Sequence, residues 1–186
     1  MKLLLLCALF LLSCEKEEEG IREYLEISGE PRKELAELDN ALFSWKTPAN
    51  WKETKGNDMR LASFVPLENE KEFLLTLLQL PSTGGGIEAN LKRWLGQIKV
   101  ELSESELREF VQQAPVVQTP ANLEAVILDL SLLPQSPTES MNTAIIASPK
   151  ATLFIKMSGT QANLKKHKKD FLNFIKDISR RGTNAP

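Results

Sequence analysis

The sequence predicts an α+β domain: a three-layer α/β/α sandwich built on one mostly antiparallel sheet with helices on both faces. Three observations predict it. Strand-like segments are interrupted by a pair of helix-like segments and closed by an amphipathic helix. The run at residues 73–80, Phe-Leu-Leu-Thr-Leu-Leu-Gln-Leu, points apolar side chains both ways, and a strand buried on both faces needs cover on both. Compact turns such as Ser148-Pro149-Lys150 join neighbouring strand candidates and so imply antiparallel pairing.

Taken in order, the folded part begins near Phe43, and Pro48-Ala49-Asn50 marks a turn before Trp51. Residues 59–65 alternate well enough for a strand that ends at Pro66. Glu68-Asn69-Glu70 is the turn into residues 73–80, closed by Pro81. A helix is the rival reading of that run, but its short length between turn signals favours a strand. After the glycine-rich Ser82–Gly86 loop, Ile87, Leu91, Trp94 or Leu95, and Ile98 repeat at helical spacing. Ser103 and Glu106 form an S-x-x-E capping box that starts a second helix with the stripe Leu107, Phe110, Val111, stopped by Pro115. Strand candidates follow at 116–119, 123–130, 141–147 and 152–157, with a proline-containing loop at 132–140. A last helix spans 161–179, with Leu164, Phe171, Phe174, Ile175 and Ile178 on one side. The basic pair Arg180-Arg181 closes it and complements the helix dipole.

Length and composition bound the function. The 186 residues suit one domain plus a targeting segment. Hydrophobic residues are 42% and charged residues 26%, ordinary for a folded protein. Aromatics are only 6%, so the core must be mostly Leu, Ile, Val and Ala. A net charge of −2 gives no whole-protein field that favours nucleic acid, and no nucleic-acid partner is expected.

The N-terminus carries the sharpest signal. Lys2 precedes an apolar run at 3–12 that is too short for a membrane crossing, which needs about 20 residues, and reads as an export signal. Leu11-Leu12-Ser13-Cys14 resembles the lipobox of bacterial lipoproteins, with the small Ser13 before the cysteine. The resemblance implies cleavage between Ser13 and Cys14, diacylation of Cys14, and stable membrane anchoring, since each buried CH₂ contributes about 0.8 kcal/mol. The charged run Glu15-Lys16-Glu17-Glu18-Glu19 cannot join a core and reads as the start of a solvated tether. Glu15, in place of the Asp that retains some enterobacterial lipoproteins in the inner membrane, leans towards an outer membrane where one exists. The expected division is a signal peptide at 1–13, a tether at 14–40, the domain at 41–181 and a tail at 182–186. Cys7 lies in the segment expected to be removed, so the mature domain would have neither a free thiol nor a disulfide.

Several stretches together resemble a known group. They are Trp45…Pro48…Trp51, Met59-Arg60-Leu61-Ala62-Ser63-Phe64, Leu80-Pro81-Ser82-Thr83-Gly84-Gly85, Asn90-Leu91-Lys92-Arg93-Trp94 with Gln97, and Phe154-Ile155-Lys156-Met157-Ser158-Gly159. From about residue 43 to 180 they resemble a group of uncharacterised bacterial lipoproteins whose domain is similar to PsbP and its DcrB-like relatives. That resemblance implies a three-layer domain that binds or assembles at a membrane, without catalysis. One fold hosts many functions, so no ligand follows from it.

The tests for chemistry return little. Gly84-Gly85-Gly86 leads into a helix whose start attracts anions, yet it lacks the spacing of a nucleotide loop. A strand-to-helix turn needing positive φ is the preferred account. The sharper expectation is that Asn90, Arg93 and Gln97, with Trp94 and the glycines, share a face for a partner or an anion. His167 is the only histidine and is expected on the surface or boundary of the last helix. With no thiol beside it, no metal site and no cofactor are expected. Glu101, Glu104, Glu106 and Glu109 read as a cap and a solvated helix face. Lys165-Lys166-His167-Lys168-Lys169 is a basic patch that either faces solvent, the preferred account, or touches anionic headgroups. Trp45, Trp51 and Trp94 are expected to pack in or beside the core. The expectation is a lipid-anchored, extracytoplasmic accessory protein that is no enzyme and whose partners are the membrane and an envelope complex. The alternative is a carboxylate-based hydrolase acting on envelope polymers.

Overall fold

Period-two alternation of apolar side chains resolves into a seven-stranded sheet in the computed structural model of the chain, which describes residues 42–56, 60–82, 85–120 and 122–181. The expected signal peptide, tether and tail, with Ser13 and Cys14, lie outside the described residues. All described residues fall within one contact unit, Leu35–Pro186.

The strands are β1 (Phe43–Ser44), β2 (Trp51–Lys55), β3 (Ala62–Pro66), β4 (Phe73–Pro81), β5 (Val116–Gln118), β6 (Glu124–Asp129), β7 (Glu139–Ala147), β8 (Ala151–Thr160) and β9 (Ser179–Arg180). The helices are α1 (Ile87–Gln97), α2 (Glu104–Gln112), α3 (Gln161–Lys166) and α4 (Lys168–Lys176), with a 3₁₀ turn at Leu130–Leu132. The large sheet runs β2-β3-β4-β8-β7-β6-β5, every neighbour antiparallel, while β1 and β9 pair separately. Ser148 closes the β7–β8 turn: its Oγ accepts from the Ala151 N–H at 3.2 Å.

Alternation along the central strands feeds two cores. Phe73, Leu75 and Leu77 of β4 and Leu153, Ile155 and Met157 of β8 meet Leu164, Phe171, Phe174 and Ile175 of α3 and α4. The opposite face sends Phe154, Met141, Ile145 and Leu128 against Leu91, Trp94 and Leu95 of α1 and Leu107 of α2. Each such side chain removed from water contributes about 1.5–3 kcal/mol. The expected three-layer α/β/α arrangement is therefore present, with a wholly antiparallel sheet.

The α1–α2 pair covers only part of its face. Its core draws on Leu78 and Leu80 of β4, then on β8, β7 and β6. Lys52, Thr54, Ser63 and Val65 point to the same side from β2 and β3; the first two are exposed and the other two half-buried.

One strand was passed over and two expectations are corrected. Residues 51–55 are a strand: only Trp51 is buried, so no apolar alternation marks it, and its charged exposed positions suit a sheet edge. The strand expected at 59–65 is Ala62–Pro66, and Met59 lies outside the described residues. The last helix is kinked at His167 (φ −96°, ψ 7°) and ends at Lys176; Ser179–Arg180 then pairs with β1. Backbone bonds from His167 N–H to Asn163 O and from Phe171 N–H to His167 O carry the helical ladder across the kink.

Candidate functional site

The glycine turn and α1 hold the residues expected to face a partner. Gly85 sits at φ +91°, a backbone that L side chains rarely adopt, so the need for glycine there is conformational. Gly84 lies outside the described residues. Gly86 is the N-cap of α1 and offers no side-chain cap. Asn90, inside the helix, ties the carbonyls of the turn instead. Its Nδ2 donates to Gly86 O at 3.0 Å and Gly85 O at 3.3 Å, and its Oδ1 accepts from Arg93 Nη1 at 2.8 Å. Asn90 is 2% exposed and Trp94 6%, the latter edge-on to Phe154 at 6.2 Å between centroids. These two are corrected: they brace the turn and fill the core, and of the expected face only Arg93 and Gln97 reach solvent on α1. The open cleft beside the turn, lined by Gly86, Ile87, Glu88 and Lys92, carries a carboxylate in the helix's first turn, which disfavours an anion there.

Gln97 leads to a second feature that sequence reading passed over. Its Oε1 accepts from Lys156 Nζ at 3.1 Å. Lys156 stands on β8 in a row that crosses four strands: Thr54 opposite Ser63, Ser63 opposite Thr76, Thr76 opposite Lys156. Along this row Thr54 is exposed, Ser63 and Lys156 are half-buried and Thr76 is buried, so it opens to solvent away from α1. Burial, and then the nearby Arg60 guanidinium, hold the Lys156 ammonium below the usual lysine range. Leu74, one position along β4 on the same side, is 42% exposed. The signal in the sequence was a polar residue in the middle of each of four strands. Their alignment across the sheet depends on register between segments up to about a hundred residues apart, which local pattern does not encode.

A third group surrounds His167, which is 7% exposed rather than on the surface. Its Nε2 lies 2.6 Å from Glu72 Oε2, and its ring packs edge-on to Phe73 at 4.8 Å. Lys166 Nζ donates to the same carboxylate at 2.8 and 2.9 Å. Asp170 approaches His167 Nδ1 at 3.8 Å, and Glu68 also lines this cleft of about 210 Å³. Glu68, Glu72 and Asp170 thus line one cleft. Hydrogen bonds from Lys166 and His167 hold Glu72 below the usual carboxylate range. The bonds of Lys166 and His167 to Glu72 clamp the β3–β4 hairpin to α3.

The basic patch is divided in the same way. Lys166 pairs with Glu72, and Lys168 with Asp129 at 2.9 Å, so these lysines are committed to the fold. Among the acidic residues of α2, Glu106 completes the capping box on Ser103 and Glu104 pairs with Lys92 at 2.6 Å.

Neither family models nor curated proteins match the chain. Among solved structures it is similar to the solution structure of cyanobacterial PsbP from Synechocystis, at 9% identity over 75% of this chain and 86% of that one, with a TM-score of 0.46. A crystal structure from Bacteroides thetaiotaomicron is similar at 13% identity over 77% of this chain, with a TM-score of 0.46; the chain spans about half of that protein's length, 47%. A Pseudomonas aeruginosa protein of unknown function is similar at 14% identity over 75% of this chain and 88% of that one, with a TM-score of 0.35. The architecture described above is read from this chain's own strand pairing.

Proposed function

We propose that the protein is a lipid-anchored, extracytoplasmic accessory protein of the bacterial envelope that works by binding, held to the membrane through Cys14. Its contact surface is the uncovered part of the sheet. The partner presents acidic groups to it.

The observation that carries this reading is the surface where exposed Thr54 and Leu74 adjoin the half-buried Ser63 and Lys156 at the border of α1. Hydroxyls offer both donors and acceptors without a desolvation cost as large as that of a charge. Lys156 and Arg60 repel one another there, so an anionic group between them would gain from both. Arg93, one helical turn before Gln97, extends the same positive border. The lipobox-like Leu11-Leu12-Ser13-Cys14 and the charged run behind it support the anchor and the compartment.

The test is photo-crosslinking in cells from a reactive amino acid placed at Leu74 in the lipidated protein. One recurrent envelope protein is expected, lost in Cys14→Ala and in the Arg60→Glu/Lys156→Glu pair. Capture of abundant neighbours alone, unchanged by charge reversal, would overturn the reading.

A further inference from the structure

The helices on the opposite face of the sheet turn a line of cations to solvent. Leu164, Phe171, Phe174 and Ile175 are buried and fix which side of α3 and α4 meets the sheet. Residues three and four apart share a helix face. Lys165, Lys169, Asn173 and Lys176 follow that spacing on the outer side, and all are exposed. The backbone ladder that crosses the kink at His167 keeps Lys165 in line with Lys169. Beside this line, Lys166 is engaged by Glu72 and Lys168 by Asp129, while Asp170 approaches His167 and Asn50. Lys165, Lys169 and Lys176 have no ion pair among the described residues.

The line ends where the chain enters the domain. Phe43–Ser44 of β1 pairs with Ser179–Arg180 of β9, just past the last turn of α4, and the Arg181 N–H donates to Leu42 O at 3.0 Å. Leu42 is the first described residue, so a chain anchored at Cys14 comes into the domain beside Lys176. Such an anchor makes contact with its own bilayer an intramolecular step, for which a few weak charge contacts suffice. Each lysine near an anionic bilayer strengthens binding about fivefold.

We infer that the outer face of α3 and α4, through Lys165, Lys169 and Lys176, docks on the anionic headgroups of the membrane that holds the protein. The inference rests on the proposed anchor at Cys14. It also gives the domain an orientation: Lys156 and Gln97 lie on the other side of the sheet, so docking by the helix layer turns the proposed partner surface away from the bilayer.

The experiment places the lipidated chain in vesicles of phosphatidylcholine, alone or mixed with phosphatidylglycerol, with a fluorophore on Asn173→Cys. With Cys7 removed and Cys14 acylated, that thiol is unique. A headgroup-bound quencher reads how close the label lies to the bilayer, and flotation with the vesicles reads the anchor separately. The expected result is quenching in the anionic vesicles that fades as salt rises. The triple variant Lys165→Glu/Lys169→Glu/Lys176→Glu should weaken docking at least about tenfold while still floating, since it changes exposed positions only. Protein that floats, but whose quenching ignores both anionic lipid and charge reversal, would overturn the docking and leave the anchor standing. Protein that floats with neither vesicle would overturn the anchor, and the docking with it.

Discussion

Gly85 and Asn90 divide one task. The glycine accepts a φ of +91°, and the asparagine side chain donates to the carbonyls of Gly85 and Gly86. A side chain at Gly85 has room, its nearest contact being Asn90 Nδ2 at 3.4 Å, so the cost of Gly85→Ala is conformational. That variant should lose about 1 kcal/mol in a denaturant melt, and an unchanged midpoint would remove the turn argument. Gly159 is constrained differently: a Cβ there would meet Glu72 O at 2.6 Å, because β4 and β8 pair Phe73 directly with Gly159. Sequence reading explained the glycine turn by backbone need, and that reading holds at Gly85. It also put Asn90 and Trp94 on a partner face. Helical spacing says which residues share a face of α1, but the side of α1 that meets β8 is set by packing, and Trp94 lies on it.

At the level of elements, the best-forecast piece is α2. The Ser103 hydroxyl accepts from the Glu106 N–H, and the Glu106 carboxylate accepts from the Ser103 N–H at 2.8 Å, as the S-x-x-E spacing requires. Ser103→Ala should destabilise the fold by about 1 kcal/mol in a thermal or denaturant melt; no change would mean α2 is held by Leu107 packing alone. The strand β7 was equally legible, since Met141 and the run Ala144-Ile145-Ile146-Ala147 fit no surface element. By contrast β2 and the β1–β9 pair were missed. They hold few buried side chains and exist because a partner strand supplies their hydrogen bonds, which are invisible to a local reading. The kink between α3 and α4 was also missed, because its centre, His167, is engaged by Glu72, ninety-five positions earlier.

For the whole molecule, the Glu72 clamp ties the β3–β4 hairpin to the α3–α4 layer and so couples stability to pH. Glu72 is held below the usual carboxylate range, first by Lys166 and then by His167. The folded state therefore binds fewer protons than the unfolded state in that window. Its contribution is fully present above the ordinary carboxylate value of about 4.3 and is lost as pH falls through the lowered value. Thermal melts should show Glu72→Gln below wild type at neutral pH, with the gap narrowing as the pH falls below the ordinary carboxylate range. A gap that persists in acid would mean the clamp works through packing against Phe73 instead. Local sequence determined the fold class, the capping box, most strands and the two-sided burial of β4, because periodicity, caps and turn residues act within a few positions. It also supplied the lipobox-like segment on which the proposed anchor rests. Only the tertiary structure decided the strand order, the row across the sheet that ends at Lys156, and the pairing of β1 with β9. Each of these depends on register between strands that meet across long loops, where the energy lies in contacts between distant residues and no single segment contains it.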